Sequence, residues 1–133
     1  MSRAAVNSVL ENSIELQALG LLPGATYAAN AVDTVEERPF IVMRWEENVR
    51  AFDTRGVQGL TVWVNDNLGD YTRIDACLEV IKRLLTNMVH VAGSDGRTIT
   101  QIDWSGDSGD LWDDGYHTIA RNAGFSVVSR PTG

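Results

Sequence analysis

The chain has 133 residues, 44% hydrophobic and 22% charged, which is the size and balance of one globular domain with a core of its own. Its 11 Lys and Arg face 18 Asp and Glu, a net charge of −7, which argues against the basic face that a phosphate backbone requires. One cysteine (Cys77), no apolar run of about 18 residues and no basic-then-apolar leader argue against an internal disulfide, a membrane helix and a signal peptide. A reducing cytoplasm is the expected place of synthesis.

Ala5, Val6, Val9, Leu10 and Ile14 recur at helical spacing, with Ser2 as N-cap, and predict a first helix from about Arg3 to about Gln17. Gly20 to Arg38 is read as a long connection with a short strand near Tyr27. Pro39 opens a strand, FIVMRWE, in which Phe40, Val42 and Arg44 point one way and Ile41, Met43 and Trp45 the other. Apolar residues on both faces suit a central strand, or one with the core on one face and a partner on the other. Glu47 to Gln58 is polar and is read as a loop whose tip holds Arg50, Phe52 and Arg55. A second strand, Gly59 to Asn65, sets Leu60, Val62 and Val64 against Thr61 and Trp63.

The turn Asp66-Asn67-Leu68-Gly69 leads into the strongest element, Asp70 to Met88. There Ile74, Cys77, Leu78, Ile81, Leu84, Leu85 and Met88 form one face of a helix, with Asp70 as N-cap. On that face Cys77 reads as a small buried hydrophobe. A third strand is expected from about Arg97 to Trp104, with Thr98, Thr100, Ile102 and Trp104 opposite Ile99, Gln101 and Asp103. Ser105 to Gly115 is read as a loop rich in glycine and aspartate. A last strand runs from near Tyr116 to Arg130, either bulged at Gly124 or turned into a hairpin there.

The order helix, strand, strand, helix, strand, strand predicts a single α+β domain over residues 1–133. It has a mostly antiparallel sheet of roughly four strands, a long central helix across one face and an N-terminal helix.

Little in the sequence suggests catalysis. His90 and His117 have no second His or Cys at ligand spacing, which argues against zinc. No nucleophile elbow, P-loop or dinucleotide fingerprint is present. Asp103, Asp107, Asp110, Asp113 and Asp114 supply enough carboxylates for calcium, but not in EF-hand order. The simpler reading is a solvated loop, or one that meets arginines of a neighbouring subunit. Trp45 and Trp63 are expected to close a core beneath the first helix, away from the aliphatic stripe. Trp112, inside the acidic loop, is the better interface candidate. The chain is therefore expected to be no enzyme and to hold no metal or cofactor.

The N-terminal helix, the RPFIVMRWEE and VWVND strands, the GDYTRID start of the long helix and the closing YHTIARNAGFSVVSR occur in an order that resembles the tail terminators of long-tailed, lambda-like bacteriophages, especially those of actinobacteria. The resemblance spans nearly the whole chain and carries no catalytic signature. It implies a virion protein that forms a hexameric ring at the head-proximal end of the tail tube. Such a ring ends tube polymerisation and joins the tail to the neck. Implied partners are other copies of the chain, the major tail tube protein and a neck or stopper protein. DNA would pass through the lumen without sequence-specific binding, and no membrane is involved. The ring would be assembled in the host cytoplasm. Subunit contacts would involve Arg50, Phe52 and Arg55 from one loop and Asp107, Asp110, Trp112, Asp113 and Asp114 from the other. Alternatives are another head–tail joining protein, such as a stopper or adaptor, and a non-viral α+β interaction module.

Overall fold

The computed structural model describes residues 3–21, 26–28, 39–50, 56–113 and 118–132. In chain order the elements are α1 (Arg3–Glu11), α2 (Ile14–Ala18), β1 (Thr26–Ala28), β2 (Phe40–Arg50), β3 (Gly56–Asp66), α3 (Thr72–Thr86), β4 (Val91–Ala92), β5 (Arg97–Asp107), β6 (Leu111–Asp113) and β7 (Thr118–Pro131). The strands form one sheet in the order β1-β2-β3-β7-β5-β4, with β6 also paired to β7. Only β1 and β2 run parallel. The α+β fold is as expected. The four expected strands are the long ones, β2, β3, β5 and β7, and three strands of two or three residues enlarge the sheet.

One face of the sheet lies under α3. Directly paired residues share a face, so the register places Leu60, Val62 and Val64 with Phe125, Ala123 and Arg121. On that face α3 buries Ile74, Cys77, Leu78, Ile81 and Leu85. Each such aliphatic side chain contributes about 2 kcal/mol of transfer free energy. Asp70, the expected N-cap, lies one residue too early: α3 begins at Thr72, and Tyr71 is its N-cap and makes no side-chain capping bond. The Asp70 carboxylate accepts from the Thr72 N–H at 2.9 Å from outside the helix.

The expected first helix is two. Ser13 turns its hydroxyl to the Leu16 N–H at 3.2 Å and caps a new helix, while Asn12 Nδ2 donates to the Ser8 carbonyl at 2.9 Å. Short polar side chains that bond the backbone locally compete with helix continuation. In consequence Ile14, expected on the apolar face, is 81% exposed, and Leu16 is buried in its place. Ser2 lies outside the described residues.

Two expected loops are shorter than predicted. β2 continues through a bulge between Trp45 and Asn48, where Gln58 Nε2 donates to the Glu46 carbonyl at 2.8 Å. Of the loop read as Glu47 to Gln58, only residues 51–55 remain between strands, and Phe52 and Arg55 lie outside the described residues. Likewise β5 runs to Asp107 and β6 occupies Leu111–Asp113, which leaves 108–110 as their connection. Polar side chains mislead here because ladder hydrogen bonds come from the backbone and do not require apolar residues at an edge.

The alternation expected in β5 also fails. Thr100 has no partner in β7, since Ile99 faces Ser129 and Gln101 faces Val128. Its hydroxyl donates to the Val128 carbonyl at 3.0 Å. This bulge rephases the strand and puts both Ile99 and Ile102 in the core. A second shift follows between Trp104 and Gly106, with Gly106 at φ +152, where a side chain is disfavoured. β7 itself is one unbroken strand, so the bulge expected at Gly124 falls on its neighbour instead. The register also separates the two central tryptophans. Trp45 pairs with Leu60 and shares the aliphatic face, while Trp63 pairs with Val42 on the other.

The corner between β3 and α3 is polar and buried. Asp66 is 5% exposed, and its Oδ1 accepts from the Asn67 N–H at 2.8 Å. Arg73 closes a two-pronged contact, Nε to Oδ2 at 2.7 Å and Nη2 to Oδ1 at 2.5 Å. Beside it, the fully buried Thr118 hydroxyl donates to Asn65 Oδ1 at 3.1 Å. Asp66→Ala leaves the turn amide and Arg73 without their acceptor. It should cost about 2 kcal/mol and lower Tm by roughly 8 °C in a thermal melt. Cys77 gives a second test. Burial pushes its thiol up to about 11 from 9.0, so the native state keeps a proton that the unfolded state releases. Stability should therefore fall as pH rises from about 9 to 11. Cys77→Ala should remove that alkaline component, as judged by urea midpoints across the window.

Candidate subunit interface

One long side of β7 is bordered first by β5 and then by β6. Ser108 bridges the interval between them: its N–H donates to the Asn122 carbonyl at 2.9 Å, and the Asn122 N–H donates to its hydroxyl at 3.0 Å. Trp104 pairs with Phe125, Asp107 with Ala123 and Trp112 with Ile119, so all three lie on the α3 side of the sheet. Their β7 partners, Phe125 and Ile119, are six positions apart, roughly 20 Å along the strand. Trp104 is 50% exposed and Trp112 is 71% exposed, with Leu111 at 40% beside it.

Between the tryptophans the charges are paired within the chain. Lys82 Nζ stands 4.9 Å from the centre of the Trp104 ring, 3.0 Å from Asp107 Oδ2 and 2.7 Å from Glu79. Burial alone would lower the Lys82 pKa, but its hydrogen bonds to Glu79 and Asp107 outweigh this and hold the ammonium above its ordinary range. Trp104 Nε1 donates to the other Asp107 oxygen at 2.9 Å. Arg121 binds Asp75 on α3, reaches the Ser108 carbonyl at 3.1 Å through Nη2 and lies 3.8 Å from Asp110. The hydrogen bond with Asp75 is the main reason its guanidinium is held above the ordinary arginine range. Tyr71, at the start of α3, donates its hydroxyl to the Leu111 carbonyl at 2.9 Å.

The structure thus brings Asp107, Asp110 and Trp112 onto one side of the sheet. Asp107 is engaged by Lys82 and Trp104, and Asp110 lies 3.8 Å from Arg121. Asp113 ends β6 opposite Thr118, and Arg50 ends β2 opposite Gly56. Phe52, Arg55, Asp114 and His117 lie outside the described residues. Sequence reasoning missed Lys82, Arg121, Asp75 and Trp104 as members of this edge. Their contacts join α3 to β5 and β7, so no local spacing reveals them.

Among the described residues, no group of three or more His, Cys, Asp and Glu could hold a metal ion. No helix among them is long and apolar enough to cross a membrane. An open depression between α2 and α3 is lined by Leu19, Gly20, Asp70, Thr72, Arg73 and Ala76.

This chain is similar in structure to a chain of the virion of a native gene transfer agent (GTA) particle, with a TM-score of 0.76. The two chains share one fold. The match covers 96% of this chain and 93% of the virion chain at 16% sequence identity. A second solved chain, with a TM-score of 0.47 at 16% identity and 96% coverage of both, is too distant to argue from. No protein-family model and no curated protein sequence matches the chain.

Lys82→Met keeps the aliphatic stem over Trp104 but removes the charge. It should cost about 1 kcal/mol and change Trp104 fluorescence, because two ion pairs and the ring contact are lost together. An unchanged melt and spectrum would mean that the cluster holds nothing in place.

Proposed function

We propose that the chain is a structural protein of a phage-type virion and, within it, a tail terminator. In this reading six copies form a ring at the head-proximal end of the tail tube. The ring stops tube growth and presents a surface to the neck protein of the filled head. The observation that best supports a virion protein is the likeness over 96% and 93% of the two chains, which accounts for almost all of both. The finer assignment, including an actinobacteriophage source, rests on the ordered strand and helix motifs of the sequence.

The mechanism is assembly rather than catalysis. A ring closes when one surface of a subunit meets a different surface of the next. The edge carrying Leu111 and Trp112 supplies one such surface, since exposed tryptophan is enriched where partners bind. The β2–β3 hairpin, whose end carries Arg50, Phe52 and Arg55 in the sequence, supplies the other. Asp113 and Asp114, next to Trp112, are the carboxylates we assign to those arginines. The net charge of −7 suits a channel through which DNA slides without adhering.

The deciding experiment is the mass of the purified chain, alone and with its tail tube protein. A hexamer, or a monomer that becomes a hexamer on tube ends and arrests their growth, supports a terminator. A ring of twelve would indicate an adaptor, and a monomer or dimer without effect on tubes would indicate an interaction module. Trp112→Ala should weaken ring formation about tenfold and leave Tm within about 2 °C, because the side chain is mostly in solvent.

A further inference from the structure

We propose that Arg121 is the positioning residue of the assembly edge: it holds the 108–110 connection against α3 and thereby fixes where β6 presents Trp112. This rests on the reading of Trp112 as a subunit contact and adds the residue through which that contact is aimed.

β6 has three residues and, among the described residues, pairs with β7 alone, over Ala120, Ile119 and Thr118. A strand of that length does not hold its own position. Ser108 ties the connection to Asn122 of β7, and two further side chains link it and β6 to α3. Tyr71 fixes the Leu111 carbonyl from α3. Arg121 projects from β7 on the α3 side and uses its fork on three groups at once. Nη1 binds Asp75, while Nε and Nη2 converge on the Ser108 carbonyl at 3.4 and 3.1 Å. Asp110, one residue before β6, adds a charge 3.8 Å from Nε. Arg121 thus joins helix, sheet and connection, and its side chain is only 23% exposed. A planar guanidinium can serve a carboxylate and a carbonyl together, which a single ammonium does less well.

The test is a double-mutant cycle on the full chain. Arg121→Gln, Trp112→Ala and the double variant are compared by sedimentation over a concentration series or, where the chain alone is monomeric, by binding to tail-tube ends. Arg121→Gln should weaken assembly about tenfold. In the Trp112→Ala background its further effect should shrink to about twofold or less, because both changes act through one contact. Amide hydrogen exchange at 108–113 should quicken about tenfold in Arg121→Gln, while the α3 amides stay as they were. Should Arg121→Gln not fold, Asp75→Asn on the helix surface removes the anchor and should show the same dependence on Trp112. Fully additive losses, or unchanged exchange at 108–113, overturn the proposal and leave the Trp112 contact standing. If Trp112→Ala alone leaves assembly unchanged, the contact reading itself falls.

Discussion

The carboxylate of Asp66 sits where the last turn of a central strand becomes the start of the long helix, and it has to be satisfied there because water hardly reaches it. A buried carboxylate without partners costs several kcal/mol, so the chain must bring donors to it. The Asn67 amide and the Arg73 guanidinium do so. Since Arg73 belongs to the first turn of α3, this requirement sets the angle and phase at which the helix leaves the sheet. The apolar stripe of α3 then falls on Leu60, Val62, Val64 and Phe125, and the hydrophobic effect does the rest.

The same placement decides what the other face of α3 can reach. Tyr71 reaches the Leu111 carbonyl of β6, Asp75 reaches Arg121 of β7 and Lys82 reaches Asp107 of β5, while Glu79 pairs with Lys82 within the helix. These contacts are partly in solvent, and pairs of that kind contribute little to stability. Their effect is on position. They hold a short strand and two tryptophans in a fixed arrangement on a domain whose folding energy comes from elsewhere. Loss of the edge contacts and loss of the fold are therefore separable.

Internal pairing also alters the electrostatics of the edge. In the sequence five aspartates fall between Asp103 and Asp114, which suggests a surface waiting for arginines. Lys82 pairs with Asp107, and Arg121 lies 3.8 Å from Asp110. A partner that covers this edge displaces less unpaired charge from water and meets mainly aromatic and aliphatic surface, so an interface centred on Trp112 is favoured by burial more than by ion pairing.

The sequence by itself determined the α+β class, the four long strands, the long helix with its buried face and Cys77 within it. All of these follow from local periodicity and from caps within a few residues of the element they govern. It also singled out Trp112, because a tryptophan among aspartates has no place in a core. Only the tertiary structure decided the rest. The break at Ser13, the bulges at Thr100 and Ser105 and the short β6 depend on which backbone groups find partners across the sheet. The Lys82 and Arg121 contacts join residues 25 and 46 positions apart. Periodicity reports which face of an element is apolar, but it carries no information on which distant element comes to rest beside that face.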